Sequence, residues 1–166
     1  FASFKQAFLD AGSRVRLNSD KPESYASAIE RIRFVGGYLD SVDIELSDHL
    51  NAVIGGRGTG KSTLLECIRY AFGLEPKTPN AIKQHKSVID TNLGKERGLV
   101  EITLRSSVMH GRRFKVSRKH GSDPVVVDSK ENISPYLPTD LLPGIELYGQ
   151  NEIYEMTRDE QSRNQL

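Results

Sequence analysis

The spacing of apolar positions divides the chain into helical and extended stretches. At the start, Phe1, Phe4, Phe8 and Leu9 recur at helical spacing and Gly12 supplies a stop, which predicts a polar helix followed by loop as far as residue 28. From Glu30 the period shortens. Ile32, Phe34 and Val35 precede the Gly36-Gly37 pair, and Tyr38, Leu39, Val42, Ile44 and Leu46 then run near period two, which predicts a hairpin or bulged bend. Leu50-Asn51-Ala52-Val53-Ile54 is nearly all apolar, as expected of a strand buried on both faces of a parallel sheet. Over 61–72, Leu64, Leu65, Ile68, Ala71 and Phe72 form one helical stripe, and Gly73 stands where a left-handed cap would end it.

Further along, Pro76 and Pro79 among scattered polar residues predict a long loop over 74–97, with a short helix near 81–85. Val100, Ile102 and Leu104 alternate with Glu101, Thr103 and Arg105. Two more short strands at 113–118 and 124–127, with Gly111 and Gly121 at the turns, extend this into an antiparallel meander. Pro135, Pro138 and Pro143 make 132–144 a loop, and Ile145-Glu146-Leu147-Tyr148 reads as a short strand ending at Gly149-Gln150. Thr157-Arg158-Asp159-Glu160 has the form of a capping box, so a helix is expected to begin there.

Composition narrows the class. Hydrophobic residues at 37% allow a packed core, and 23 basic against 22 acidic residues leave a net charge of +1, too even for a strongly basic nucleic-acid binder. One cysteine, Cys67, excludes a disulfide framework and a Cys-rich zinc site. No apolar run approaches the roughly 20 residues a membrane span needs and no signal peptide is visible, so the expected location is the cytoplasm, with no membrane partner. Phe1 rather than Met at the start suggests a piece of a longer chain.

The candidate chemistry lies between the apolar run and the helix. Gly55-Gly56-Arg57-Gly58-Thr59-Gly60-Lys61-Ser62 fits G-x-x-x-x-G-K-[ST] at each fixed position. Glycines let successive amides point inward at a β-phosphate, and the helix that follows aims its positive end at the same anion. Lys61 would reach the β- and γ-phosphates, the Ser62 hydroxyl would ligate Mg²⁺, and Thr63 would reach the α-phosphate. A guanine reader of the Asn-Lys-x-Asp type and an Asp-x-x-Gly switch are absent, which argues against a GTPase. An acid at the end of an apolar strand should complete the magnesium shell. The candidates are Val125-Val126-Val127-Asp128 and Val88-Ile89-Asp90, but Pro124 suits an edge strand better than a central one, so that acid is expected outside this chain.

Residues 50–55 and 64–73, the latter reading Leu64-Leu65-Glu66-Cys67-Ile68-Arg69-Tyr70-Ala71-Phe72-Gly73, resemble the N-terminal head segment of SMC-like ABC ATPases, the RecF/RecN and double-strand-break-repair group. The resemblance covers about residues 30–160. It implies an α/β P-loop NTPase fold, the N-terminal lobe of an ABC/SMC-like head, with a mixed sheet and an antiparallel β subdomain. It also makes Gln150, in Gly149-Gln150-Asn151-Glu152-Ile153, the Q-loop glutamine that senses Mg²⁺ and the γ-phosphate. Lys61 and Gln150 are then the catalytic candidates, residues 55–63 the ATP-binding ones, and Ser62 and Gln150 the metal ligands. Residues 1–28 become a linker or the tail of a preceding domain, 29–156 the lobe and 157–166 the start of a helical insertion.

The phosphate loop and Gly-Gln-Asn-Glu-Ile-Tyr-Glu further resemble TrlF-type ATPases, in which a PHP-type phosphoesterase domain precedes the head and which are linked to bacterial defence. In this family a second lobe returns with the signature motif and Walker B acid, and heads dimerise on ATP, so the partners implied are a second copy, an attached PHP-like effector domain and DNA. Arg57 replaces the asparagine common in SMC loops. Two other readings stand beside this one: a self-contained AAA-like ATPase using Asp128, and a nucleotide-gated binding module without turnover. Arg105, Arg112, Arg113, Lys115, Arg118 and Lys119, with His110 and His120, are either a DNA-facing patch, a solvated sheet surface or neighbours of the adenine or ribose. The four histidines lack metal-ligand spacing.

Overall fold

The computed structural model describes residues 9, 26–95, 97–149 and 152–158, the last three without their side chains. The helix expected over the first nine residues lies outside them except for Leu9. The elements are β1 (Ala28–Val35), β2 (Asp43–Glu45), α1 (Lys61–Phe72), α2 (Pro79–Leu93), β3 (Leu99–Ser106), β4 (Arg112–Lys119), β5 (Val125–Asp128), α3 (Pro138–Leu141) and α4 (Glu152–Arg158). The strands form one five-stranded sheet in the order β2-β1-β3-β4-β5, with every pairing antiparallel.

Register explains the core. A row of Ile44, Ile32, Ile102, Val116 and Val126 crosses all five strands, and a second row pairs Leu104 with Phe114. Because side chains alternate along a strand, these residues share one face, and on it α1 packs through Leu64, Cys67, Ile68, Ala71 and Phe72. Ile89 and Leu93 of α2, with Leu141 and Leu142 after the sheet, close the core. Leu65 falls off the helical stripe expected for it and is 42% exposed. Cys67 is wholly buried, and desolvation first, with the neighbouring Glu66 charge second, pushes its thiol up to about 12.

The opposite face is polar and held by ion pairs. Arg31 donates two hydrogen bonds of 2.6 Å to Asp43 across β1 and β2. Arg113 and Arg105 both reach Glu30, and Arg105 also meets Asp48 at 2.8 Å. Arg31 and Arg113 pair at solvent-exposed sites and add little stability, the Arg105 pairs are more shielded, and together they neutralise the face.

Several sequence expectations change. The hairpin forms with Gly36 and Gly37 in its turn, but residues 38–41 belong to that turn, leaving β2 three residues long. The 74–97 loop holds a helix of 15 residues, because Thr78 caps the Ala81 amide and Pro79 takes the first helical position, where its missing N–H costs nothing. Residues 132–144 include the short helix α3. Helix α4 starts at Glu152, so Thr157 lies within it and not at its cap.

The largest difference concerns the run read as a parallel strand, 50–54, and the short strand read at 145–148. Residues 50–56 and 145–149 carry no regular structure, and Leu50 and Ile54 are 94% and 92% exposed. A strand needs a neighbour for its N–H and C=O groups, and among the described residues none lies beside either run. The mixed sheet expected from the sequence is therefore, over these residues, purely antiparallel. No described helix is long and apolar enough to cross a membrane.

In the 166-residue chain, Ile102→Ala should lower unfolding free energy by about 2–5 kcal/mol, the range for a large aliphatic cut from a packed core. Leu50→Ala should change it by less than about 0.5 kcal/mol, and paired urea titrations would measure both.

Candidate functional site

Residues 55–60 form a largely exposed loop that runs straight into α1, whose first residues are Lys61, Ser62 and Thr63. Gly60 caps the helix with φ +89°, a left-handed conformation, and a Cβ there would come within 3.2 Å of Leu39 and 3.3 Å of Tyr38. No side chain caps this helix and its first turn holds no acid, so its leading amides are left for an external anion. Three of the loop's carbonyls, by contrast, are taken. Lys61 Nζ donates to Gly55 O at 2.6 Å and also to Gly56 O, Thr59 Oγ1 donates to Gly56 O, and the Tyr38 hydroxyl donates to Gly58 O at 2.9 Å. Among the described residues no protein acceptor takes the amides of 55–60.

That asymmetry is what a polyphosphate requires: amide donors free, carbonyls tied back, and a flexible ammonium bridging the loop. A cleft of about 330 Å³ adjoins it, walled by Tyr38, residues 58–63 and Asn92. Ser62 is exposed at the cleft and Thr63 half-buried beside it. The motif residues from Gly55 to Thr63 are thus brought together. Gln150 lies outside the described residues.

What brackets Gln150 in the chain is fixed by a buried ion pair. Arg69 of α1 and Glu152 of α4 are each 1% exposed, and Arg69 Nη2 donates to Glu152 Oε2 at 2.7 Å and to Leu147 O at 2.8 Å. Glu152 also accepts the Gly149 and Lys77 amides at 2.7 Å. Burial works to raise the Glu152 carboxyl, but the Arg69 hydrogen bond and the two amides outweigh it and hold the group below its ordinary value. One turn on, Glu155 accepts from the Thr78 hydroxyl at the cap of α2.

The alternative acids do not meet the loop. Asp128 ends the edge strand β5 and accepts the Lys130 and Asn132 amides, bonds that lower its carboxyl and make it a turn residue. It is not a wall of the cleft. Asp90 sits in α2, not on a strand, and pairs with His120 at 3.1 Å. Among the described residues no group of three His, Cys, Asp or Glu side chains is arranged to hold a metal.

The basic cluster also divides. Strand alternation puts Arg113 and Lys115 on the polar face, where Arg113 is neutralised by Glu30, and turns Phe114, Val116 and Arg118 the other way. Arg118 stacks on the Tyr70 ring at 4.1 Å and donates to the carbonyls of Tyr70 and Ser122. The eight residues therefore make no single face.

Tyr38, Asn92, Arg69 and Glu152 were given no site role from the sequence. Tyr38 lies 17 residues before Gly55 and Asn92 29 residues after Thr63, with no local signal, whereas Arg69 could have been found as a charged residue adjoining a buried stripe.

Residues 29–165 match the family model described as AAA domain. Over 131 residues the chain is 30% identical to the DNA repair protein RecN of Aquifex aeolicus, a stretch covering 78% of this chain and 21% of that one. Over 134 residues it is 28% identical to the DNA double-strand break repair Rad50 ATPase of Archaeoglobus fulgidus, covering 74% and 14% respectively. The chain spans about a fifth or less of the length of these curated relatives.

Because the Glu152 carboxyl is lowered on folding, its contribution to stability is present above its ordinary value of 4.5 and lost as pH falls through the folded value. Glu152→Gln should lower the melting temperature at pH 7 by more than about 3 °C, the shift that about 1 kcal/mol gives in a chain of this size. The gap to the parent should shrink steadily below about pH 4.5 in a series of thermal melts.

Proposed function

The chain belongs to the AAA domain family, and from that membership we propose that it is the ATP-binding N-terminal lobe of an SMC-like ATPase that acts in DNA repair or anti-phage defence. The observation that carries the reading is the loop itself, whose free amides, tied-back carbonyls and Lys61 ammonium stand at the uncapped head of a core-anchored helix. Residues 55–63 would cradle the phosphates of ATP, with Lys61 on the β- and γ-phosphates and Thr63 toward the α-phosphate. Ser62 and Gln150 would hold Mg²⁺, which when bound neutralises charge developing between the β- and γ-phosphates.

The acid that completes this shell belongs, in this proposal, to a second lobe. Its support is threefold. The first turn of α1 has no acid, Asp128 is committed to its own turn, and the apolar run entering the phosphate loop is exposed and unpaired among the described residues. A lobe that lays a strand against residues 50–54 and 145–148 would satisfy both backbones and complete the mixed sheet. Hydrolysis would then follow ATP-dependent pairing of two heads, with binding closing the pair and turnover reopening it. Similarity to a DNA repair protein and to a DNA double-strand break repair ATPase favours a role in DNA repair, and the phosphate-loop and Gly-Gln-Asn-Glu-Ile-Tyr-Glu residues favour a TrlF-type arrangement with residues 1–28 joined to a PHP-like effector domain.

Lys61→Ala should weaken ATP binding by at least about tenfold, a loss of roughly 1.4 kcal/mol, and reduce turnover of the full-length protein to background. Calorimetric titration and phosphate release would show it, with the melting temperature unchanged; undiminished affinity would overturn the reading.

A further inference from the structure

We propose that the buried Arg69–Glu152 pair is a positioning device that ties α4 to the phosphate-loop helix α1, so that nucleotide held at the head of α1 sets the placement of α4. The proposal rests on the nucleotide reading above.

Helix α1 joins the two ends. Arg69 stands eight residues after Lys61, about 12 Å along the axis. The intervening turns carry Leu64, Cys67 and Ile68 into a close-packed core, so a displacement at the phosphate loop travels to Arg69 as movement of a rod and is not absorbed on the way. At Arg69 the movement meets directional bonds. One nitrogen, Nη2, holds both the Leu147 carbonyl and the Glu152 carboxylate. That carboxylate in turn holds the amide of Gly149, and through its other oxygen the amide of Lys77, just before the cap of α2. Three segments meet at one acidic side chain.

The joint has little slack. A Cβ at Gly149 would lie 3.2 Å from Glu66 Oε1 and 3.4 Å from Glu152 Oε2, so the backbone there is already against the charged groups. Nor is the arginine there for stability alone. Its Nε and Nη1 are buried without a hydrogen-bond acceptor, and Glu66 Oε2, 3.6 Å from Nε, lies 2.6 Å from His85 Nδ1. An incompletely satisfied buried guanidinium stabilises less than apolar packing of the same volume, whereas its directional bonds specify one placement of the chain around Gly149.

The test uses the full-length protein and compares the parent with Glu152→Gln and Arg69→Lys in ATP affinity, kcat, KM and amide exchange over 147–158 with and without ATP. Glu152→Gln should leave ATP affinity within about twofold, lower kcat by at least about tenfold and abolish the ATP-induced change in exchange. Arg69→Lys, which keeps the charge but carries it on a shorter, unplanar head than the one that places Nη2 here, should retain part of both. Undiminished kcat with an intact exchange response overturns the proposal, as does an equal fall in affinity and kcat that follows the melting temperature. If Glu152→Gln does not fold, Glu152→Asp, which keeps the charge on a shorter stem, carries the same expectation and the same refutation. A parent that binds no ATP overturns the nucleotide reading and this one with it; a parent that turns over ATP beside an unaffected variant overturns this one alone.

Discussion

The burial of one face of α1 against the antiparallel sheet is the constraint from which the other features follow. Leu64, Ile68, Ala71 and Phe72 have a single apolar surface to cover, the rows crossing β1, β3 and β4, and packing there fixes both the position and the axis of the helix. Its two ends are then committed. The head lies uncapped where the glycine loop enters, and the later turns press Arg69 against Leu147 and Glu152. A glycine loop with free amides at one end and a buried ion pair at the other are consequences of a single apolar contact.

Local pattern carried much of this. The alternation at 99–105 gave β3, the 3.6-residue stripe gave α1, and Gly73 in the left-handed region ends that helix as its position suggested. Failures arose where the outcome depends on something distant or on one residue's ambiguity. Pro79 reads equally as a breaker or as a first helical residue, and the choice is made by Thr78, whose hydroxyl takes the Ala81 amide. Leu50 to Ile54 has the composition of a buried strand, yet composition supplies no hydrogen-bonding neighbour, and none lies beside it among the described residues. The loop's motif was legible because its chemistry is contiguous. Tyr38 was not, since its hydroxyl reaches Gly58 only through the turn of the β1–β2 hairpin.

Alternation also governs the charges. A run such as Arg112-Arg113-Phe114-Lys115-Val116-Ser117-Arg118-Lys119 looks like one basic surface when counted along the chain. On a strand the same residues part to opposite faces, and each face then offers its own partners: Glu30 for Arg113, the Tyr70 ring and carbonyl for Arg118. Arg118 contributes packing and hydrogen bonds at the tail of α1, so its positive charge is not available as a free surface cation would be. Binding of a polyanion by this chain would have to draw on the residues left unpaired, not on the run as a whole.

The same distinction between charge and direction decides how Glu152 is to be understood. If attraction to Arg69 were its only role, an apolar pair of similar volume would serve as well, because the cost of removing both charges from water nearly cancels their attraction. Such a pair would, however, leave the Gly149 and Lys77 amides and the Leu147 carbonyl without the partners they now have. Unsatisfied backbone groups in a part-buried setting cost about 1–3 kcal/mol each, so the chain at these three points would move to find water. The carboxylate–guanidinium pair is therefore the arrangement that lets residues 147–152 stay close against α1 while every one of those backbone groups is bonded. The closeness is the structural consequence, and it places the last turns of α1 and the start of α4 in one hydrogen-bonded unit.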